Sequence, residues 1–249
     1  MNELDYRIAS DRGILVKFGN EISEQTFNRV STFEKNLLKD DLPGILETIR
    51  SFCTLFISYD PSKTDYETLI YYLKKLEQIM PSGDLLFTES KIIEIPVVYG
   101  GEYGPDLPSV AELLNISEED VIQQHLSHDY LVYITAFLAG LPMFKGKGKL
   151  FDLPRKKTPV ICPQGAVILA NGMGCVFNPI DTPSGWYGIG RSPLRQWYPD
   201  RDPPVLIKSG DRIKYKRIDE NAFYKIKQEV DQKTYKLMNI INSSYVERR

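Results

Sequence analysis

Four short stretches of this chain carry side chains whose types and spacing suit chemistry. His125 and His128 are its two histidines, set i and i+3 near the end of a predicted helix. That spacing suits a metal ion, but a zinc-type site needs further Cys or His ligands, and none stands nearby in the sequence. A histidine in a last helical turn also caps free carbonyls. No metal is therefore expected, and His125 alone is kept as a candidate catalytic acid or base. Lys145-Gly146-Lys147-Gly148-Lys149 sets three cations on a loop, with Lys147 at its centre. Such a loop either binds phosphate through amides and ammonium groups or is a solvated hairpin. It is not a Walker loop, because the chain contains no G-x-x-x-x-G-K-[ST]. Arg155, followed by Lys156 and Lys157, offers the planar fork that grips a carboxylate or phosphate through two parallel hydrogen bonds. Trp186 follows Gly185, which permits a tight turn, so the indole either packs or stacks on a ligand. Arg191 follows Gly190 on a predicted strand and is a second candidate for ligand binding. No Ser-His-Asp triad with motif support, dinucleotide loop or CxxC pair is present, so the chain is not expected to be active alone.

The whole chain is close to neutral, with 31 Lys plus Arg against 33 Asp plus Glu among 249 residues. A general nucleic-acid binder needs a basic excess, so no nucleic-acid partner is expected. A hydrophobic fraction of 42% and a charged fraction of 26% are ordinary for a protein with a real core. Met1-Asn2-Glu3-Leu4-Asp5 has two acids and no apolar run, unlike a signal peptide. The longest apolar stretch, residues 130–143, is broken by Thr135, Gly140 and Pro142 and is too short to span a bilayer. Cys53, Cys162 and Cys175 are odd in number and far apart, which suits buried thiols in a reducing compartment. A cytoplasmic protein without membrane contact is the expectation.

The elements that must position these residues fall into two patterns. Through residue 80, strand and helix signals alternate. Residues 13–18 read as a strand, and Ser23 caps a helix lined by Phe27, Val30, Phe33 and Leu37. Residues 45–50 and 53–59 read as strands. Thr64-Asp65-Tyr66-Glu67 has the form of a capping box, opening a helix lined by Leu69, Leu73, Leu76 and Met80. The simplest solution is a four-stranded sheet with two helices on one face. Pro81-Ser82-Gly83-Asp84 looks like the end of that unit, which puts a domain boundary near residues 82–92. A strand over 92–99 is followed by two short helices, the second capped by Ser117. From 130 to 218, short apolar runs separated by Gly and Pro predict a closed or sandwiched β structure with no long helix. The last thirty residues return to a helical pattern carrying Phe223, Ile226, Val230 and Leu237.

Several of these segments resemble one family. They are Ile95-Pro96-Val97-Val98-Tyr99-Gly100-Gly101-Glu102-Tyr103-Gly104-Pro105-Asp106-Leu107, the His125 to Tyr133 segment, and Pro163-Gln164-Gly165-Ala166-Val167. Strongest is Thr182-Pro183-Ser184-Gly185-Trp186-Tyr187-Gly188-Ile189-Gly190-Arg191-Ser192-Pro193-Leu194, followed by Pro203-Pro204 and Ser209-Gly210-Asp211-Arg212-Ile213. The family is known as the B-type subunit of 5-oxoprolinase, allophanate hydrolase subunit 1 or sporulation kinase inhibitor. The resemblance implies an α+β chain. It would have a small ferredoxin-like N-terminal domain (1–88), a cyclophilin-like β-barrel (89–218) and a C-terminal helical extension (219–249). It implies a subunit of an ATP-dependent complex that hydrolyses 5-oxo-L-proline to L-glutamate. ATP would act at the level of the complex, with no metal or biotin in this chain. The implied partners are a companion carboxyltransferase-like subunit, a ring-opening subunit and a small anionic substrate. The family match favours His125, and the family keeps an arginine at the position of Arg155. The alternatives are a regulator that inhibits a sensor histidine kinase by docking on it, or a paralogue that binds a small carboxylate without turnover. The family's Gly-Phe-x-Pro-Gly-Phe-Pro-Tyr-Leu stands here as Ala136-Phe137-Leu138-Ala139-Gly140-Leu141-Pro142-Met143-Phe144. Its Gly-Gly-Leu-Asp-Pro-Arg becomes Lys145-Gly146-Lys147-Gly148-Lys149-Leu150, so the resemblance implies a diverged ligand-facing loop. If the strands close into a barrel, Arg155 and Arg191 are expected at one mouth, with the lysine loop nearby.

Overall fold

In the computed structural model, which describes residues 4–80, 92–138, 140–200, 202–237 and 239–240, the chain divides into two compact units, Met1–Thr88 and Glu89–Arg249. The turn expected at Pro81-Ser82-Gly83-Asp84 lies outside the described residues, as does the expected boundary segment up to residue 91.

The first unit runs β1 (Asp5–Ser10), β2 (Gly13–Lys17), α1 (Glu24–Lys39), β3 (Ile45–Arg50), β4 (Thr54–Tyr59) and α2 (Tyr66–Gln78). Its sheet has the order β1-β2-β4-β3 with every pair antiparallel. Ser23 caps α1, its hydroxyl accepting from Thr26 N at 3.1 Å. The cap of α2 falls one residue later than the expected Thr64. Asp65 has the extended backbone of an N-cap and accepts from Thr68 N at 2.7 Å, whereas the Thr64 hydroxyl is buried without a partner. Val30, Phe33 and Leu37 of α1 and Leu69, Leu73 and Leu76 of α2 pack with Ile14, Val16, Leu55 and Ile57, so both helices cover one face of the sheet. Burying each such side chain contributes about 1.5–3 kcal/mol.

The second unit begins with β5 (Ile92–Tyr99), α3 (Leu107–Leu114), α4 (Glu118–Leu126), β6 (Asp129–Thr135) and β7 (Pro142–Lys145). A 3₁₀ turn at Lys149–Phe151 follows, then β8 (Val160–Cys162), β9 (Ala166–Ala170), β10 (Met173–Cys175), β11 (Thr182–Ser184) and β12 (Tyr187–Arg191). The chain continues through β13 (Arg212–Arg217), α5 (Glu220–Asp231) and β14 (Asn239–Ile240). Seven strands close in the order β12-β9-β10-β7-β6-β13-β5, with β12 returning to β5 through Gly190↔Tyr99 and Arg191↔Val98. The β13–β5 pair is parallel and the other barrel pairs are antiparallel. This closed barrel fits the expected cyclophilin-like architecture. The strands β8 and β11 form a separate two-stranded ribbon.

Alternation along the strands divides the apolar residues between two clusters. Val167, Leu169, Phe144, Ile189, Ile213 and Tyr215 fill the barrel, joined by Val110 of α3 and Val121 of α4. Ala166, Ile168 and Cys175 turn to the other face and meet Leu141 and Cys162, with Leu138, Met143 and Trp186 packed against them.

The C-terminal helix is shorter than its periodicity suggests. Lys233 adopts φ +59°, and Thr234 N donates to Glu229 O at 2.9 Å, so the chain turns out of the helix before Leu237. Cys162 and Cys175 are buried, but Cys53 is only half-buried, and all three are free thiols. Among the described residues no group of three His, Cys, Asp or Glu is placed to hold a metal. No described helix is long and apolar enough to cross a membrane.

Candidate functional site

The two longest family-like segments meet where the barrel closes. Gly100 N donates to Ile189 O at 3.2 Å, and Asp106 N donates to Gly188 O at 3.0 Å. A Cβ on Gly104 would lie 2.0 Å from Ile189 O, so only glycine allows this approach. Asp106 occupies the N-cap position of α3, yet its side chain makes no cap hydrogen bond. Its Oδ2 instead accepts from Gly188 N at 2.7 Å and from Lys156 Nζ at 2.7 Å. Lys156 N in turn donates to Gly185 O at 2.7 Å. One carboxylate thus ties together the glycine loop, the start of β12 and the segment that carries Arg155.

That segment is a strap across one end of the barrel. From Lys145, the last residue of β7, it is held by Gly146 N to Gly172 O (2.9 Å), Gly172 N to Phe151 O (2.6 Å) and Asn171 N to Leu153 O (2.8 Å). At this end β7 stops, β9 turns into β10 at Asn171-Gly172, and β12 begins. Gly146 lies under the Phe151 ring, where a Cβ would approach to 1.9 Å, so it serves packing and its amide is already engaged. Residues 145–157 carry Lys145, Lys147, Lys149, Arg155, Lys156 and Lys157 against a single acid, Asp152, in a chain of net charge −2. Lys145, Lys147, Lys149, Arg155 and Lys157 are exposed. The Arg155 guanidinium carbon stands 5.9 Å from the centroid of the half-buried Trp186 ring. Lys156 Nζ stands 5.7 Å from that of Tyr187.

Arg155, Trp186 and the strap bearing Lys147 are therefore brought to one barrel end. Arg191 is not. It closes β12 at the strand's far end, where Nε donates to Gln164 O at 2.9 Å. The expectation that both arginines share one mouth fails because β12 runs the length of the wall between them. His128 is exposed, whereas His125 is buried to 1% exposure within the core. The His125 Nδ1 lies 2.7 Å from the Tyr99 hydroxyl, and its ring packs 4.1 Å from that of Tyr215. Its Nε2 is buried without a partner. Burial pushes the imidazole pKa down to about 3, so it stays neutral. A catalytic acid or base exchanges protons with a substrate, and this enclosed ring packs among those of Tyr99, Tyr130, Phe151 and Tyr215. Asp106 stands in a family-like segment without a role assigned from sequence, although an Asp between a Gly-Pro pair and a Pro-containing helix start is a readable signal.

The fold is a closed barrel with a basic strap across one end. Residues 4–207 match the carboxyltransferase domain, subdomain C and D, and the chain belongs to that family. It is similar to the B-type subunit of 5-oxoprolinase from Bacillus subtilis (strain 168), at 34% identity over 230 residues, covering 88% of this chain and 95% of the relative. Among solved structures it resembles TTHA0988, with a TM-score of 0.71 and 31% identity over 84% of this chain. Urea carboxylase of Kluyveromyces lactis shares the fold over 98% of this chain, with a TM-score of 0.77 and 19% identity. The chain spans 40% of the first of these two structures and 24% of the second.

Proposed function

We propose that this chain is a B-type subunit of 5-oxoprolinase, acting in an ATP-dependent complex that hydrolyses 5-oxo-L-proline to L-glutamate. The observation that carries this reading is the Arg155–Trp186 pair on a basic strap, in a chain whose curated relative carries that name. Arg155 would take the substrate carboxylate through its fork, with Trp186 fixing the guanidinium plane and the strap lysines adding an attractive field. The ion pair from Asp106 to Lys156 would hold the strap at that distance. Ring opening is assigned to another subunit. The chain has no Walker loop, so ATP is assigned elsewhere in the complex too. A companion carboxyltransferase-like subunit completes the assembly. The three free thiols support a reducing, cytoplasmic setting. The sheet order β1-β2-β4-β3 supports a ferredoxin-like first unit in which β1 supplies the strand that a β-α-β-β-α-β order would place last.

The test is 5-oxoproline-dependent ATP hydrolysis by the reconstituted complex. Arg155→Ala is expected to raise KM at least tenfold, and Arg191→Ala to leave it unchanged. The purified single chain with ATP is expected to be inactive. Equal kinetics for the two arginine variants, or turnover by the chain alone, would overturn the reading.

A further inference from the structure

A cleft of about 470 Å³ opens between the end of α5 and the chain that follows β12. Residues 196–198 and 204–206 run antiparallel there, held by Tyr198 N to Pro204 O and Leu206 N to Gln196 O, both at 2.8 Å, and by the pairing of Trp197 with Val205. The Gln196 side chain is fully buried and fastens these segments to the barrel, donating to Gly140 O at 2.7 Å and to Ile207 O at 2.6 Å. On the other side, the reversal at Lys233 brings Tyr235 and Leu237 into the cleft wall beside buried Val230. Leu206, Tyr235 and Leu237 also pack against the barrel core, which gives the cleft an apolar floor. Trp197, 40% exposed, and half-buried Tyr198 add two more aromatic rings. The rim carries two ion pairs, Arg195 Nη2 to Asp231 Oδ1 at 3.1 Å and Lys233 Nζ to Asp200 Oδ2 at 3.0 Å. Arg195, Lys233 and Asp200 line the cleft itself. All four side chains are exposed, so both pairs are weak and open to exchange. Lys233 holds φ +59° just past the helix, a position where glycine is usual. A left-handed backbone is unfavourable for lysine, and such conformations gather at functional sites.

We propose that this cleft binds a free α-amino acid with a large apolar side chain. Arg195 and Lys233 hold its carboxylate, Asp200 holds its ammonium, and its side chain lies among Trp197, Tyr198 and Tyr235. The inference goes beyond the 5-oxoprolinase reading and uses none of the residues at the basic strap. Size and lining are the first argument, since small-molecule sites span about 300–1,000 Å³ and join an apolar wall to a few convergent polar groups. Charge is the second. The lining residues and their ion-pair partners carry two cations and two carboxylates, which balance. A phosphate or nucleotide here would meet Asp200 and Asp231, and a lone cation would meet Arg195 and Lys233. An α-amino acid carries its ammonium and carboxylate on one carbon, side by side like the partners of an ion pair. It therefore exchanges into the Lys233–Asp200 pair without leaving either charge unmatched. The wall then discriminates among amino acids. A glutamate side chain would lose its hydration against Leu206 and Leu237, whereas an aromatic one gains ring contacts with Trp197 and Tyr235.

The test is calorimetric titration of the full chain with L-phenylalanine, followed in parallel by tryptophan emission. Saturable binding is expected, at least tenfold tighter than for 3-phenylpropanoate, which lacks the ammonium, for phenethylamine, which lacks the carboxylate, or for L-glutamate. Asp200→Asn and Trp197→Ala are each expected to weaken binding at least fivefold, and Trp197→Phe to restore most of it. Leu113→Ala, at an exposed position on α3, should leave it unchanged. Lys233→Gly is an independent variant, since glycine suits the left-handed backbone. It should melt no lower than the parent and still lose affinity. Circular dichroism checks that each variant is folded. No saturable binding of L-phenylalanine, or binding that Asp200→Asn, Trp197→Ala and Lys233→Gly all leave intact, would overturn the proposal. Equally tight binding of 3-phenylpropanoate or inorganic phosphate would overturn it in favour of an anion site, and tighter binding of L-glutamate in favour of an acidic amino acid. The titration uses neither ATP nor 5-oxoproline, so its failure leaves the 5-oxoprolinase reading standing, and the failure of that reading leaves this site standing.

Discussion

Replacing Asp106 with alanine removes the acceptor for Gly188 N and the partner of Lys156 Nζ together, both at 2.7 Å. Gly188 is buried, and a buried amide left without an acceptor costs about 1–3 kcal/mol. The Asp106 and Lys156 side chains are 21% and 16% exposed. Neither the cost of breaking a fully buried pair, about 3–5 kcal/mol, nor the ~0–1 kcal/mol of a surface pair applies directly. An intermediate value brings the expected loss for Asp106→Ala to about 2–4 kcal/mol. Asp106→Asn keeps an acceptor for Gly188 and loses only the charge, so about 1–2 kcal/mol is expected. Urea denaturation of both variants, of Lys156→Met and of the double variant supplies the numbers, with a coupling energy of about 1 kcal/mol between the two positions. If Asp106→Ala unfolds at the parent's urea concentration, or if alanine and asparagine cost the same, the seam is not held as argued.

Gly104→Ala should cost about 3 kcal/mol or more, because its Cβ would lie 2.0 Å from Ile189 O. A soluble variant with an unchanged melting temperature would contradict that. Trp186→Ala should lose about 2–3 kcal/mol, less than the 3–5 of a buried aromatic, because the ring is half-buried on the outer cluster. A negligible change in a denaturant melt would show that the indole serves only a ligand. His125 predicts an acid dependence. The unfolded imidazole titrates near 6.5 and the folded one near 3, so between those values the unfolded chain takes up a proton that the folded chain refuses. Stability is therefore full above pH 6.5 and falls on acidification by up to about 1.4 kcal/mol per pH unit. His125→Leu should flatten that slope, and identical slopes in melts from pH 6 to 4 would refute the assignment.

Local signals carried much of the fold. Ser23 was legible as a cap because its hydroxyl precedes a clean apolar period, and α1 begins beside it. Thr64 and Asp65 were ambiguous because both are good caps, and the carboxylate won by having the extended backbone. β1 leaves little trace in the sequence, since its alternation rests on Tyr6 and Ile8 alone and Ile8 is 70% exposed at the sheet's edge. Leu237 continued the apolar rhythm of α5 although the backbone had already reversed at Lys233. At the site, Arg155 and Trp186 were legible one by one as residue types. Their distance depends on Lys156 pairing with Asp106 across fifty positions of sequence, which no local pattern reports. For His125, spacing shows a helix face but not whether that face meets water or core, and the ring is buried.

The placement of β5 has a consequence for the chain as it is made. This strand pairs in parallel with β13 over most of its length, and at its two ends with β12 and β14. All three partners are synthesised well after it, β13 and β14 once nearly the whole barrel has been made. The first unit pairs its strands within residues 5–59, so its sheet can form while the barrel is still incomplete. During that interval Ile92-Ile93-Glu94-Ile95-Pro96-Val97-Val98 is an unpaired β-prone segment, the kind that recruits other nascent chains. Glu94 and Pro96 interrupt it. One adds a charge and the other removes an amide donor, which makes them gatekeepers against misassembly before closure.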